Sequence, residues 1–389
     1  MYLRPVILVA FFLCLCCPCG AKAQENVYPD EEDERYLVRR LVDYLGTPVT
    51  DRTLDRPIDF SFIAGPSYSD KTSLSIGVMA AGLFRTDRTD PELHPSNITL
   101  FGNVSINGYY YVGISGNTFF ARNRHRLDYE LGFRSQPTLF WGTGYEAAMR
   151  NPAGSYTAKR IEADIQYKYA LAGNIYAGAA LSFSHIYASN LTVVQYLGGQ
   201  SRGSTAAGAG PFIEFDSRDN VTQPFRGWYA SLAAIVFPQF LGDCRATLWR
   251  VRVILDRYQR LWRTATLAID LYGEFNSARS PWTMNAQLGG NSRMRGYYEG
   301  QFNDRNMIAL QVELRQQIWQ RIGCVVWAGA GNVFPSLSRF DWSQTLPDAG
   351  AGLRWEFKKR MNIRIDCGVG RRVQGRLTRS VILSINEAF

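Results

Sequence analysis

The sequence predicts an all-β fold, a sixteen-stranded antiparallel transmembrane β-barrel, and three observations predict it. From residue 58 onward hydrophobicity alternates with period two, so each segment has one apolar face and one face charged in both signs. The connections between segments alternate between short and long. The chain also opens with an export signal. Strict alternation marks half-buried strands. In a soluble sandwich the polar face would lie outside; in an outer-membrane barrel the apolar face meets lipid and the polar face lines a lumen.

The first 23 residues, MYLRPVILVAFFLCLCCPCGAKA, place Arg4 ahead of an apolar core from Val6 to Cys17 and end on Ala21-Lys22-Ala23, an A-x-A cleavage site. That is the layout of a secretory signal peptide. The apolar run is about a dozen residues, short of the ~20 a spanning helix needs. Residues 24–57 differ from all that follows. DEEDERYLVRRLVDYL opens acidic and then spaces Leu37, Leu41 and Leu45 four apart. This predicts one short amphipathic helix with its acids at the positive end of the helix dipole. Pro48 and Pro57 turn the remainder into a linker, and the barrel occupies 58–389.

Four alternating stretches carry the barrel. IEADIQYKY (161–169), RHRLDYELGFR (124–134), ALQVELRQQI (309–318) and MNIRIDCGVG (361–370) each set aliphatic and aromatic residues against charges. Sixteen strands follow, near 58–68, 72–84, 97–107, 108–121, 125–135, 157–169, 174–187, 203–217, 226–237, 245–257, 262–275, 305–318, 323–333, 348–357, 361–371 and 378–388. Most even-to-odd connections are short, such as 122–124 and 171–174; the odd-to-even stretches 136–156, 188–202, 276–304 and 334–347 are long. This is the asymmetry of periplasmic turns and extracellular loops, and an even count puts both ends in the periplasm. The last strand, SVILSINEAF, sets Val381, Leu383, Ile385 and Phe389 on one face.

Charge and cysteine content exclude other classes. Forty-three Lys and Arg against 34 Asp and Glu give a net charge of +9, dispersed along the chain. For an exported protein this points to anionic lipid headgroups and glycolipid as partners, and not to nucleic acid. Four of seven cysteines lie in the export signal. Cys244, Cys324 and Cys367 match no metal-ligand spacing and read as apolar fillers, so neither metal nor cofactor is implied. His94, His125 and His185 all have structural readings, and no G-x-S-x-G elbow occurs, which argues against an outer-membrane hydrolase and for a non-enzymatic protein.

Three motifs go further. In GAGPFIEFDSRDNVTQPFRGWY (208–229), Asp216, Arg218, Asp219, Pro224, Arg226 and Gly227 form a D-x-R-D…P-x-R-G pattern, which reads as a structured turn. In GGNSRMRGYYEG (289–300), Met294-Arg295-Gly296-Tyr297 sits on a Gly-rich loop between the eleventh and twelfth strands. On the thirteenth strand Trp327, Gly329 and Gly331 stand in an F-x-D-x-G frame. In order and spacing these resemble the BamA-like superfamily, the outer-membrane assembly and two-partner-secretion barrels, over residues 58–389. The terminal Phe389 resembles the C-terminal signal by which outer-membrane barrels reach their assembly machine, although Glu387 stands where an apolar residue is usual.

The resemblance implies that the sixth outside loop folds back into the barrel and that Arg295 pairs with an acid on the inner wall. A guanidinium can hold a carboxylate in a bidentate pair. The family aspartate is Gly329 in this chain, so Glu313 on the twelfth strand and Asp366 on the fifteenth are the candidate partners. The family's periplasmic POTRA domains, of roughly 75 residues each, do not fit into 24–57. The expected location is the bacterial outer membrane. The leading expectation is a role in outer-membrane biogenesis, by insertion or export of proteins or by lipid handling, using a weak seam between first and last strands. The alternatives are a structural subunit of a larger complex, alongside other barrels or assembly subunits, and a loop-plugged diffusion channel.

Overall fold

Alternation decides which face of each strand meets lipid, and closure removes every free sheet edge that a membrane would penalise. A computed structural model describes residues 57–90, 93–120, 122–221, 223–358, 361–385 and 387–389. The export signal over 1–23 and the acidic helix and linker over 24–57 lie outside the described residues, save Pro57.

The barrel strands are β1 Asp59–Ser69, β2 Ser73–Phe84, β3 Ser96–Ser105, β4 Tyr110–Phe120, β5 His125–Phe140, β6 Gly154–Ala172, β7 Ile175–Ser189 and β8 Gly203–Asp216. They continue as β9 Gly227–Phe237, β10 Leu248–Trp262, β11 Ala265–Asn276, β12 Asn306–Trp319, β13 Ile322–Phe334, β14 Leu346–Lys358, β15 Met361–Val373 and β16 Arg376–Ile385. All sixteen pair antiparallel with their sequence neighbours, and β1 closes on β16. The fold is therefore a closed sixteen-stranded antiparallel barrel.

Burial runs opposite to a soluble protein. On β12, Leu310 and Val312 are 45% and 39% exposed, whereas the intervening Gln311 and Glu313 are fully buried. Charge inside and apolar surface outside is the arrangement of a strand with lipid on one side and a filled lumen on the other. Trp228, Trp262, Trp319 and Trp355 stand exposed near the short-turn ends of β9, β10, β12 and β14. Such aromatics mark a membrane–water interface.

Two strands reach further than the alternation shows. β5 and β6 stay paired through Phe140 and Gly154, beyond the expected ends at 135 and 157. Pro137 and the buried Gln136 and Thr138 break the period there. Phe140 and Tyr156 instead pack around Trp282 from the β11–β12 connection, with ring centroids 4.9 and 5.6 Å from the indole. Between β5 and β6, the six-residue helix α1, Tyr145–Arg150, lies against the same connection.

The end of the chain departs from its expected direction. β16 stops at Ile385, and the tail leaves the lipid-facing register. Continued as strand, Glu387 would present a carboxylate to lipid. Glu387 instead accepts hydrogen bonds from Arg354 Nε at 2.8 Å and Asn362 Nδ2 at 2.7 Å. Phe389 follows it inward: its carbonyl accepts from Arg315 Nη2 at 2.9 Å, and the Arg315 guanidinium lies 5.2 Å from its ring centroid. Phe389 therefore does not share the face of Val381, Leu383 and Ile385, because the charge at Glu387 turns the chain.

Candidate functional site

The connection from β11 to β12 is a long loop with a neck and a tip. Two three-residue strands, Ala286–Leu288 and Phe302–Asp304, pair antiparallel and form the neck. Gly289 and Gly290, at φ of 100° and 111°, turn the chain out of it. Met294 adopts φ 50°, unusual for a residue with a side chain, and is fully buried. Its amide donates to Gln311 Oε1 at 3.0 Å, and its carbonyl accepts from the Tyr297 amide at 3.1 Å, closing a turn with Arg295 at the apex. Leu288, Met294, Tyr297 and Phe302 pack with Val333 and Leu346 of the wall in one apolar cluster.

Arg295 is buried completely inside the barrel. Its Nη1 donates to Asp366 Oδ2 of β15 at 2.7 Å, and its Nη2 donates to Glu313 of β12. Its guanidinium stacks on Trp327 of β13, 3.7 Å from the ring centroid. The tip is thus held by three wall strands at once. Further arginines close the network. Arg315 Nε donates to Glu313 at 2.7 Å; Arg354 Nη1 donates to Asp366 at 2.6 Å and Arg364 Nη1 at 2.7 Å. Arg364 also returns to the loop, donating to the Asn291 carbonyl at 2.8 Å. Charges this deep persist only when paired and hydrogen-bonded.

The structure brings both sequence-predicted acids, Glu313 and Asp366, onto the one arginine. A third wall carboxylate, Asp348, meets the loop beside them. Gly329 pairs across β13–β14 with Asp348. Asp348 accepts the Gly296 amide at 2.6 Å and the Trp327 indole N–H at 2.9 Å. The space at Gly329 is narrowed by the neighbouring strand, since a Cβ there would lie 3.0 Å from Gln311 Cγ and from the Leu310 carbonyl oxygen of β12, with Met294 Sδ of the loop in ordinary contact at 3.6 Å. Gly296 has no room for a side chain either, since its Cβ would meet Asp348 Oδ1 at 2.6 Å, and a Cβ on Gly368 of β15 would meet the Arg295 backbone at 2.7 Å. Loop and wall approach backbone to backbone at this point.

Asp348, Arg315, Arg354 and Arg364 escaped the motif reading. The signal for Asp348 was in LPDAGAG: it is the first of an alternating Asp348, Gly350, Gly352 series on one face of β14, small residues leaving room for something bulky.

Two more contacts bind the loop's flanks. Arg293 makes a bidentate pair with Asp270 of β11, with Nε and Nη2 at 2.8 and 2.7 Å. On the other side Glu299 accepts from Lys71, in the turn between β1 and β2, at 3.0 Å. Burial pushes the Glu299 carboxyl up, but Lys71 with Arg160 and Arg134 outweighs it and holds the group below the usual carboxylate range. Burial pushes the Tyr297 phenol up to about 12; it is a neutral donor, bonding to the Pro347 carbonyl at 2.5 Å.

The Asp216–Gly227 motif is separate from this network and builds the β8–β9 turn. Asp216 accepts Arg218 Nε and Nη2 at 3.0 and 2.8 Å, and Asp219 Oδ1 accepts the Phe225 and Arg226 amides at 2.8 and 3.2 Å. Gly227 takes φ 114° to close it.

A family model matches most of this barrel: the Omp85 superfamily domain aligns with residues 89–388. The chain belongs to the Omp85 superfamily. Among solved structures, BamA from Haemophilus ducreyi lacking POTRA domains 1–3 superposes with TM-score 0.58 at 13% identity, covering 94% of this chain and 80% of that one. CdiB from Acinetobacter baumannii gives 0.56 at 13% identity and CdiB from Escherichia coli 0.56 at 14%; the chain spans 60% and 64% of their lengths. No curated protein matches. At these identities the likeness is one of fold, and the Omp85 barrel places the chain in the bacterial outer membrane.

Proposed function

We propose that this Omp85 barrel acts in outer-membrane biogenesis, handling outer-membrane or secreted proteins at the junction of β1 and β16, without catalysis. The supporting observation is the seam. Among the described residues, β1 and β16 are in register at Tyr68↔Leu383 alone, whereas β1 pairs with β2 over its whole length. Continued at that register, Ile385 falls opposite Pro66 (68 + 383 = 385 + 66), and beyond Ile385 the tail turns inward. Among the described residues, Asp59–Ala64 therefore has no β16 partner, and its N–H and C=O groups on that side form an edge that can accept another strand. Phe60 and Phe62 on this edge are 60% and 65% exposed toward lipid.

Depletion of the protein, followed by a quantitative outer-membrane proteome and a lipid-asymmetry assay, tests this reading. Loss of a defined set of barrel or secreted proteins supports it. A lipid defect with an intact proteome moves the role to lipid handling, and no change in either contradicts a biogenesis role. A second reading, a loop-plugged channel, draws on the lumen filled by the Arg295 loop. It predicts small conductance that rises when residues 289–300 are deleted.

A further inference from the structure

The β13–β14 connection, residues 335–345, lies against the outside of the barrel. On β13 the even-numbered side chains face outward, opposite in direction to the inward Trp327, and Val326 is well exposed there. The same alternation sends Asn332 and Phe334 outward, yet both are buried. The loop covers them. Asn332 Nδ2 donates to the Asp341 carbonyl at 2.8 Å and to Thr345 Oγ1 at 3.2 Å. The Phe334 ring meets Phe340 edge-on, with centroids 5.1 Å apart, and Phe340 meets Trp342 in the same way at 4.9 Å. On its other side Phe334 lies 6.5 Å from Phe275, an outward residue of β11. Such edge-on contacts are a favoured arrangement of aromatic rings.

Two short 3₁₀ turns shape the loop, Leu337–Arg339 and Trp342–Gln344. Asp341 caps the second, its Oδ1 accepting the Ser343 amide at 2.8 Å. Beyond the rings that tie the loop to the wall, Trp342 is 80% and Leu337 71% exposed. Height along the strand says what they meet. Asn332 lies ten residues above Ile322 on β13. At about 3.4 Å per residue and a tilt of about 40° this is a rise of roughly 26 Å, against an apolar band about 25 Å tall. Trp319 and Trp355 mark the lower boundary of that band, so the loop stands at the upper one. Between the two, the outward Pro347, Ala349, Ala351 and Leu353 of β14 carry no charge. The loop's own charges, Arg339 and Asp341, cancel, so it selects no partner by sign. An indole suits a place where one side is apolar and the other wet.

From this arrangement we infer that the β13–β14 loop is a membrane foot, with Trp342 and Leu337 seated in the outer leaflet at the boundary between acyl chains and headgroups. The partner is lipid, and the contact is apolar, continuous with the lipid-facing surface below it. It lies on the outer side of strands whose inner side seats Arg295, so this wall is gripped on both faces. The inference stands apart from the biogenesis reading and from the state of the β1–β16 junction.

The test is depth-dependent quenching of Trp342 in the full chain reconstituted in phosphatidylcholine bilayers. Trp342→Phe keeps a ring against Phe340, and the emission of the wild type minus that of W342F isolates this indole. Bromines on the acyl chains just below the carbonyls should quench it more than bromines near the chain ends. Quenching by aqueous acrylamide with none from either brominated lipid would place the loop in water, free for a protein partner, and would overturn the foot. Strongest quenching by the deep bromines would overturn its place at the boundary. A nitroxide on Leu337→Cys, in a chain with Cys244, Cys324 and Cys367 replaced by serine, gives an independent depth. Its relaxation by dissolved oxygen should exceed that by a water-soluble nickel chelate, and the reverse order would contradict the contact. Raising the salt concentration should change neither reading; detachment at high salt would mean that charge, not apolar burial, holds the loop.

Discussion

Along β12 to β15, a loop arginine is held by Glu313 and Asp366, stacked on Trp327 and followed by a backbone amide on Asp348. One strand further round, β16 meets β1 in register at a single described position, Tyr68↔Leu383, and then turns away. Both regions belong to one continuous sheet. One spends buried charge, close backbone approach and glycine on holding a loop still; the other leaves half a strand edge unanswered. The contrast suggests a division of labour in which the β12–β15 wall is the fixed body and the β1–β16 junction is the part that changes.

Four changes break or sharpen that contrast, in falling order of effect. Arg295→Ala removes the loop's buried cation and its stacking on Trp327, while Glu313 keeps Arg315 and Asp366 keeps Arg354 and Arg364; breaking a buried pair costs about 3–5 kcal/mol, and the loss should approach that range from below. Denaturant unfolding of the purified barrel should show it. Combined with Glu313→Gln the loss should be non-additive by about 0.5–3 kcal/mol; additive effects would mean the two side chains are not coupled.

Gly329→Asp places an acid where the resemblance would put one, and it should destabilise by about 1–3 kcal/mol. The place is crowded by Gln311 and the Leu310 carbonyl, and Asp348 already sits opposite. A stabilised G329D barrel would show that the wall beside Gln311 has room for a second acid.

Removing the β1 edge contrast is a smaller change. Hydrogen exchange by mass spectrometry should show the β16-facing amides of 59–64 exchanging early and those of 309–315 late, because only the former lack a partner strand. Equal protection of both would remove the distinction.

The weakest link is Lys71–Glu299, which ties the loop to the β1–β2 turn. Glu299 is 43% exposed, so Glu299→Gln should cost no more than about 1 kcal/mol. Its carboxyl is held below the usual range in the folded protein. Its contribution is therefore complete above the ordinary glutamate value of about 4.3 and is lost as pH falls through the lower folded value. Between pH 5 and 8 the wild-type minus E299Q difference should stay flat; a decline across that window would contradict the assignment.

Much of this was legible from residues alone. Period-two alternation gave the strands because lipid on one side and a polar lumen on the other impose it directly, as Leu310, Gln311, Val312 and Glu313 show. The alternation also gave the inward direction of Glu313 and Asp366. It failed where another force took over. The ends of β5 and β6 lie where Trp282 packs, and local sequence carries no trace of a residue so distant in the chain. Phe389 read as lipid-facing by simple continuation, but the carboxylate of Glu387 finds Arg354 inside. Asp348 was invisible as a partner because its contact with Gly296 depends on the pairing of β14 with β13 and on the seating of a loop 52 residues earlier, neither of which local sequence carries.

The β1–β16 junction is the part proposed to open, and a disulfide placed there tests this most directly. Tyr68→Cys and Leu383→Cys, in a chain with Cys244, Cys324 and Cys367 replaced by serine, would join the one registered pair. Expressed in cells depleted of the native protein, the oxidised staple should fail to restore outer-membrane protein levels, and reductant should recover them. Full restoration by the oxidised protein would contradict a working seam.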